Sequence, residues 1–423
     1  MRYRSELPVG RESDPEFLGR VDDWVANAAV AQPSADEFLS LLPGVWPVEA
    51  LAALRRLERG GKVPRGFRSA IENSLRQPRR RHQHVTSLAA PPRFLEHPLD
   101  FEWLFTRTGQ NVILGELRHA CRSDCGTVLC LGCPTLFDRG KHLLPEQQFV
   151  LWDKNASSLG QMHEAHALLD IDLRHEPLPT RPAIAAVLDP PWYNDFYRLF
   201  IWAALRNVAL GGHILLSFPP EGTRPSASRD REHVIGWATD AGAELIFHRR
   251  CCLPYRSPLF EANALAAGGL PSVPLDWRRG DLLVFRKAAS LQVARPLIPE
   301  LAAHWTEHRF GCVRLRIRTG DEEPPSQTMR AVGKSAVLPS VSTRFPKRNF
   351  ANVVTTGNRF LHTTSANQMS EICREFSFCF DSRSGVARGS PASGRYEAPL
   401  QLTRLIAREQ REAVVYFAHV DEL

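Results

Sequence analysis

The sequence predicts an α/β fold, a seven-stranded doubly wound sheet flanked by a helical N-terminal region and a small mixed C-terminal domain. Three observations predict it. Short apolar runs alternate with helix-period segments over roughly 190 residues, the pattern of parallel strands joined by crossover helices. Several of those runs stop at Gly, Pro or Asp, residues that end a buried strand and open a loop. A chain of 423 residues, 43% of them hydrophobic, also exceeds what one core takes up and implies two or three domains. Composition shifts place the boundaries so that 1–95 is a helical, basic accessory region, 96–290 the α/β domain and 291–423 a C-terminal accessory domain.

The net charge of +7 and pI of 9.1 suit a polyanionic partner. Nine cysteines without ordered spacing, and no secretory signal pattern, point to a reducing cytoplasm as the expected location. No apolar run reaches the length of a membrane span, so no membrane partner is expected; the oligomeric state is not legible.

In the N-terminal region, Phe38, Leu41, Leu42, Val48, Leu51, Leu54 and Leu57 recur at helical spacing, with Pro47 at a helix start and Gly60-Gly61 as its stop. Arg55, Arg56, Arg59, Lys62, Arg65, Arg68, Arg76 and Arg79-Arg80-Arg81 face only Glu58 and Glu72, a patch that fits either phosphate contact or a solvated helix face. The lead-in LDFEWLFTRTGQ then offers Thr106 and Thr108 as caps for a helix beginning near Gly109.

The first strand, TVLCL, meets Gly132 in the short loop Gly-Cys-Pro, where a missing side chain lets a cofactor approach the backbone in a Rossmann-like fold. Pro134 closes that loop. The second strand, QQFVLWDKN, ends in Asp153 about twenty residues on, the spacing of an acid that accepts hydrogen bonds from a ribose diol. HALLDIDLRHEPLP reads as a third strand with Asp170 and Asp172 at alternate positions on one face, candidates for contact with a cofactor's adenine.

AAVLDPPWYNDFY, residues 185–197, is the fourth strand and the centre of the chain. Pro190 stops the ladder and biases Asp189 toward an extended conformation, which holds the carboxylate at the strand's carboxyl end, where open α/β sheets bind ligands. An acid or amide, two prolines and an aromatic is the signature of transfer to amino nitrogens, above all the exocyclic amine of adenine. Asp189 and the carbonyl of Pro190 accept hydrogen bonds from the amine; Pro191 stiffens the turn; Trp192 or Tyr193 stacks on a base. A Pro-rich turn over a packed aromatic is the bland alternative. A helix closed by Gly211-Gly212, a fifth strand HILLSFPPEG, a helix with a sixth strand, and a seventh strand around Leu282 to Phe285 complete the sheet. The segment 248–269 carries Arg249, Arg250, Tyr255, Arg256 and Phe260, a set suited to gripping a nucleic-acid strand, or an ordinary hairpin connection.

LGCPTLF, WDKN and DPPWY, in this order after FEWLFTRT, resemble the N6-adenine methyltransferase group, which includes a zinc-finger ribosomal RNA adenine methyltransferase and the lysine methyltransferases of elongation factor 1A. The likeness covers about residues 98–290. It implies S-adenosyl-L-methionine as donor, bound near Gly132, Asp153 and Asp172, and an acceptor held at Asp189, Pro190, Pro191 and Trp192; the residues themselves add Pro134 and Asp170 as candidate donor contacts and Tyr193, Tyr255 and Arg256 as candidates on the substrate side. It implies DNA or RNA as partner, with a protein lysine as the alternative acceptor. DLRHEPLP followed by DPPW is also similar to the branched-chain polyamine synthases, which transfer an aminopropyl group, although Cys133-Pro134-Thr135 replaces their acidic run. A scaffold that has lost its cofactor is the third alternative.

Cys121, Cys125, Cys130 and Cys133 lie close in sequence, but Cys130 falls inside a strand and the four do not converge as zinc ligands, so no metal is expected. From 291 onward, TGDEEPPSQT reads as a linker. Arg344, Lys347, Arg348 and Arg359 interleaved with Phe345, Phe350 and Phe360 fit nucleic-acid contact or a charged small domain. A Gly/Ser/Pro-rich stretch and an amphipathic helix close the chain.

Overall fold

The computed structural model describes residues 14–77, 95–100, 102–121, 125–155, 168–175, 178–298, 305–319, 329–333, 335–343, 345–379 and 397–420. Four helices come first: α1 (Pro15–Ala29), α2 (Ala35–Leu41), α3 (Pro47–Arg59) and α4 (Phe67–Arg76). Asp14 caps α1, and Ser34 with Glu37 forms a capping box on α2. Pro47 opens α3, where its missing N–H costs nothing, and Gly60 follows its last residue. Phe17, Val25, Phe38, Leu54, Phe67 and Ile71 form the core, which continues onto Leu265, Leu270 and Trp277. Leu41 ends α2 and is exposed, contrary to its place in the apolar spacing.

The basic run of this region is partly neutralised from within. Arg55, Arg68 and Arg76 converge on Glu72, Arg68 also meets Glu58 at 2.6 Å, and Arg56 pairs with Asp22 at 2.6 Å. Arg79-Arg80-Arg81 lie outside the described residues.

The central domain runs β1 (Leu104–Phe105), α5 (Arg107–Ala120), β2 (Thr127–Leu131), α6 (Pro134–Leu143), β3 (Gln148–Asp153), β4 (Leu168–Asp170), β5 (Ala183–Leu188), α7 (Asn194–Asn207), β6 (Val208–Phe218), α8 (Ala227–Asp240), β7 (Ala243–Arg256), α9 (Leu259–Ala267) and β8 (Arg279–Lys287). Its sheet has the order β1-β7-β8-β6-β5-β2-β3-β4. Strands β4, β3, β2, β5 and β6 are parallel, and β8 runs antiparallel to both β6 and β7. The direction of winding reverses between β2 and β5, the crevice where doubly wound sheets bind ligands. The seven expected strands are present, in a Rossmann-like arrangement, and the two-residue β1 adds an eighth at the edge by pairing with β7. Both sheet faces are covered, one by a core containing Leu129, Trp152, Leu188 and Tyr197, the other by one containing Val128, Cys130, Leu151 and Tyr255.

Three expectations of the sequence need correction here. Helix α7 stops at Asn207, not at Gly211-Gly212; β6 begins at once and runs through the glycines, because a Cβ on Gly212 would lie 2.5 Å from the Ile184 carbonyl on the neighbouring strand. Strand β4 ends at Asp170, so Asp172 lies in the following turn rather than on the same strand face. The segment 248–269 is not a hairpin connection: β7 continues to Arg256 with an irregular register between Arg249 and Leu253, and α9 follows.

The C-terminal domain comprises β9 (Trp305–Phe310), β10 (Val313–Arg318), β11 (Arg330–Ala331), β12 (Val353–Thr355), β13 (Phe360–His362), α10 (Ala366–Cys379) and α11 (Glu397–Val420). Its antiparallel sheet has the order β11-β13-β12-β10-β9 and packs Phe310, Leu315, Ile317 and Val353 against Met369 and Leu402. Arg359, expected at a nucleic-acid surface, is instead buried between Glu409 and Glu412. Arg348 is likewise buried, donating to the carbonyls of Val341 and Pro98 with its guanidinium over the Phe360 ring. Arg344, 320–328 of the linker and 381–396 of the Gly/Ser/Pro stretch fall outside the described residues. Among the described residues, no helix is long and apolar enough to cross a membrane.

Candidate active site

Strands β2 and β5 end side by side. The Asp189 amide donates to the Leu131 carbonyl and the Gly132 amide to the Trp152 carbonyl, so three loops leave the sheet from one line. Gly132 has φ +70, and a Cβ there would sit 2.9 Å from the Asp189 carbonyl oxygen. The glycine is therefore required first by close packing of this loop on the Asp189 turn, in addition to the cofactor approach expected from the sequence. Pro134 occupies the first turn of α6, and the neighbouring Thr135 hydroxyl is buried without a hydrogen-bond partner. Cys133 donates its thiol to the Val187 carbonyl at 3.5 Å, and Cys130 is buried within β2, so both belong to the core.

Asp189 sits at the end of β5. Its Oδ1 accepts from the Ser217 hydroxyl, at the end of β6, and from the Tyr255 hydroxyl at 2.7 Å. Both bonds fall on one oxygen, which leaves Oδ2 for an acceptor. Burial pushes the Asp189 carboxyl up to about 7, against the Ser217 and Tyr255 bonds that favour the ion.

Tyr255, expected on the substrate side, lies in the core at 1% exposure. Its ring packs on Phe105 at 4.6 Å and meets Trp192 edge-on at 5.7 Å, so it orients Asp189 and Trp192 rather than stacking a base. Arg256 is turned away to pair with Glu96. Tyr193 bonds Thr343 of the C-terminal domain through its hydroxyl.

The turn after Trp192 is fixed by Arg224, which donates to the Trp192 carbonyl at 2.7 Å and pairs with Asp230 of α8 at 3.0 Å. Arg278 stacks its guanidinium near Trp192, Trp103 and Trp277, 5.5, 5.1 and 4.9 Å from their ring centres, and pairs with the fully buried Glu261. Trp277 meets Trp46 edge-on at 5.5 Å, which carries the packing into the N-terminal helices.

On the other side of the crevice, Asp153 and Asp170 are register partners at the ends of β3 and β4. The Asn155 amide donates to Asp153 Oδ1 at 2.8 Å, and burial raises the Asp153 carboxyl above its usual range. Asp172 does not join them: burial works upward on its carboxyl, but the two-pronged contact of Arg174 outweighs it and holds it low. Sequence reasoning did not single out Ser217, Arg224 or Arg278. Only Ser217 had a local signal, its place at the end of the fifth strand just before Pro219-Pro220.

No protein-family model and no curated protein matches the sequence. Among solved structures, the branched-chain polyamine synthase of Thermus thermophilus, in complex with N4-aminopropylspermidine and 5'-methylthioadenosine, superposes with a TM-score of 0.47 at 15% identity, covering 68% of this chain and 97% of that one. The N-methyltransferase NodS of Bradyrhizobium japonicum WM9 gives a TM-score of 0.30 at 15% identity, over 43% of this chain and 98% of its own. A Listeria monocytogenes protein assigned to the class I S-adenosylmethionine-dependent methyltransferases gives 0.31 at 13% identity, over 67% and 92%. At such identities these are likenesses of fold.

Proposed function

We propose that this protein is an S-adenosylmethionine-dependent N-methyltransferase, and that its acceptor is the exocyclic amine of adenine in DNA or RNA. The observation that carries the proposal is the Asp189 carboxylate, fastened through one oxygen by Ser217 and Tyr255 at the switch point of the sheet, immediately before Pro190-Pro191-Trp192. An aromatic amine is a poor nucleophile because its lone pair is delocalised into the ring. Hydrogen bonds from the amine to Asp189 Oδ2 and the Pro190 carbonyl favour a more tetrahedral nitrogen and hold it in line for attack. Bound S-adenosylmethionine would supply a methyl carbon made electrophilic by its sulfonium. Formation of the nitrogen–methyl bond would break the sulfur–methyl bond, leaving the neutral thioether S-adenosylhomocysteine and a cationic nitrogen whose proton Asp189 or solvent takes. If the adenine lies in a duplex it must be flipped out to reach Asp189.

The residues present fit such a donor. Asp153 keeps its second carboxylate oxygen clear of the Asn155 amide bond, Asp170 stands beside it, and the unpartnered Thr135 hydroxyl borders the Gly132 loop. Calorimetric titration with S-adenosylhomocysteine, repeated on Asp153→Ala, tests the donor site. Micromolar binding weakened by the mutation supports it, and no binding with or without candidate acceptors overturns it. Transfer of a radiolabelled methyl group to DNA, RNA, protein and polyamine fractions then identifies the acceptor.

An aliphatic amine, on a protein lysine or a polyamine, is the second reading. It is favoured by the internal pairing of Arg55, Arg56, Arg68, Arg76, Arg256 and Arg359, which removes much of the cationic surface a nucleic acid would use. A carboxyl that titrates at about 7 also suits a base that receives a proton from an ammonium group. For a polyamine acceptor, decarboxylated S-adenosylmethionine is the donor to try beside the methyl donor.

A further inference from the structure

We infer that the C-terminal domain is part of the donor side of the site, with Arg314 and Glu102 as positioning residues for the loop that follows Asp153; this rests on the reading of Asp153 as a donor contact. Arg314 lies on β10 and is almost fully buried. It reaches out of its own domain, donating from Nη1 to Glu102 Oε2 at 2.9 Å and pairing through Nη2 with Asp100, while Nε and Nη2 also bond Glu307 on β9. Arg316, two residues on and on the same strand face, pairs with Asp100 and Glu307 as well.

The two acids of the lead-in segment in turn hold the loop. Glu102 Oε1 accepts from the Asn155 side-chain amide at 2.7 Å, and Asp100 pairs with Lys154. Thus both residues immediately after Asp153 are gripped by an acid, and each acid is gripped by an arginine of the C-terminal sheet. Asp100, Glu102 and Glu307 meet Lys154, Arg309, Arg314 and Arg316, and burial, with Asp100 beside it, pushes the Glu102 carboxyl up to about 7. The chain of contact reaches the donor side through the Asn155 backbone amide, which bonds Asp153 Oδ1. Removing Arg314 leaves the buried Glu102 with only neutral donors, the His97 amide and the Asn155 side chain, and removing the Asn155 side chain unties the loop from Glu102.

Calorimetric titration of the full chain with S-adenosylhomocysteine tests the route, using wild type, Asn155→Ala, Arg314→Met, Arg314→Lys and the Asn155→Ala/Arg314→Met double variant. Asn155→Ala weakens binding about 10-fold with little change in Tm, because the side chain lies at the edge of the cluster. Arg314→Met weakens it at least as much, Arg314→Lys falls between because it keeps the charge without the planar fork, and the double variant binds no more weakly than Arg314→Met alone. Additive losses, or wild-type affinity in Asn155→Ala, overturn the positioning role. Asn155→Ala decides the question by itself if Arg314→Met does not fold. A wild-type protein that fails to bind overturns the donor site and this role together, whereas binding unaffected by the substitutions overturns this role alone.

Discussion

Removing the Tyr255 hydroxyl isolates the tuning of Asp189. Tyr255→Phe keeps the ring against Phe105 and Trp192 but deletes one of the two donors to Asp189 Oδ1. A hydrogen bond to a charged group contributes about 1.5–3 kcal/mol, and one pKa unit corresponds to about 1.4 kcal/mol. Starting from about 7, the carboxyl should therefore move roughly 1–2 units further up. Catalysis needs the ionised form, so the rate rises with pH through the midpoint and that rise shifts toward alkaline pH. At pH 7 the variant loses about 5- to 50-fold in kcat, and most of the loss is recovered near pH 9. The assay is initial-rate methyl transfer from pH 5.5 to 9.5 at saturating donor, with S-adenosylhomocysteine affinity measured alongside. An unmoved midpoint refutes the tuning; a loss that is the same at every pH shows that Tyr255 acts through packing instead.

Four further outcomes are expected. Asp189→Ala abolishes transfer to every acceptor fraction while S-adenosylhomocysteine affinity, measured by calorimetry, stays within about twofold, since on the proposed reading the carboxylate holds the acceptor and not the donor. Asp189→Asn shows the linkage: the folded carboxyl titrates above its ordinary value, so its contribution to stability is full below that ordinary value and is lost as pH rises through about 7, and the Tm of the variant relative to wild type should increase over the same window. Gly132→Ala combines a positive φ with a Cβ at 2.9 Å from the Asp189 carbonyl and should cost about 1–3 kcal/mol in urea unfolding. Glu261→Ala strands the buried Arg278 cation and should cost about 3–5 kcal/mol, read by the same unfolding and accompanied by altered tryptophan fluorescence from Trp103, Trp192 and Trp277.

What the sequence made legible was local. The strand that runs into Asp189-Pro190, the glycine after β2 and the acid that ends β3 are each set by a few consecutive residues, and periodicity with Gly and Pro placement is enough to find them. The hydrogen bonds that make Asp189 a site arrive from Ser217 and Tyr255, 28 and 66 residues away, and are fixed by the register of β5, β6, β8 and β7. No local pattern encodes that register. Tyr255 shows the consequence, since an aromatic among arginines has the composition of a binding loop and yet lies in the core.

Charge misleads for the same reason, because composition counts charges while stability depends on which of them meet. Glu72 alone gathers Arg55, Arg68 and Arg76, so a run that looks like a phosphate footprint is in good part a folded ion-pair cluster. Arg314 makes the opposite case: it carried no signal in the sequence, yet it joins Glu102 across 212 residues and ties β10 to the loop beside Asp153. Buried ion clusters contribute little net stability compared with apolar packing, but they are costly to break and so impose one arrangement on the segments that share them. Here the shared segments are the two domains and the loop after Asp153. On the proposed reading the C-terminal sheet is thereby coupled to the crevice, and the loop beside Asp153 is set by both domains.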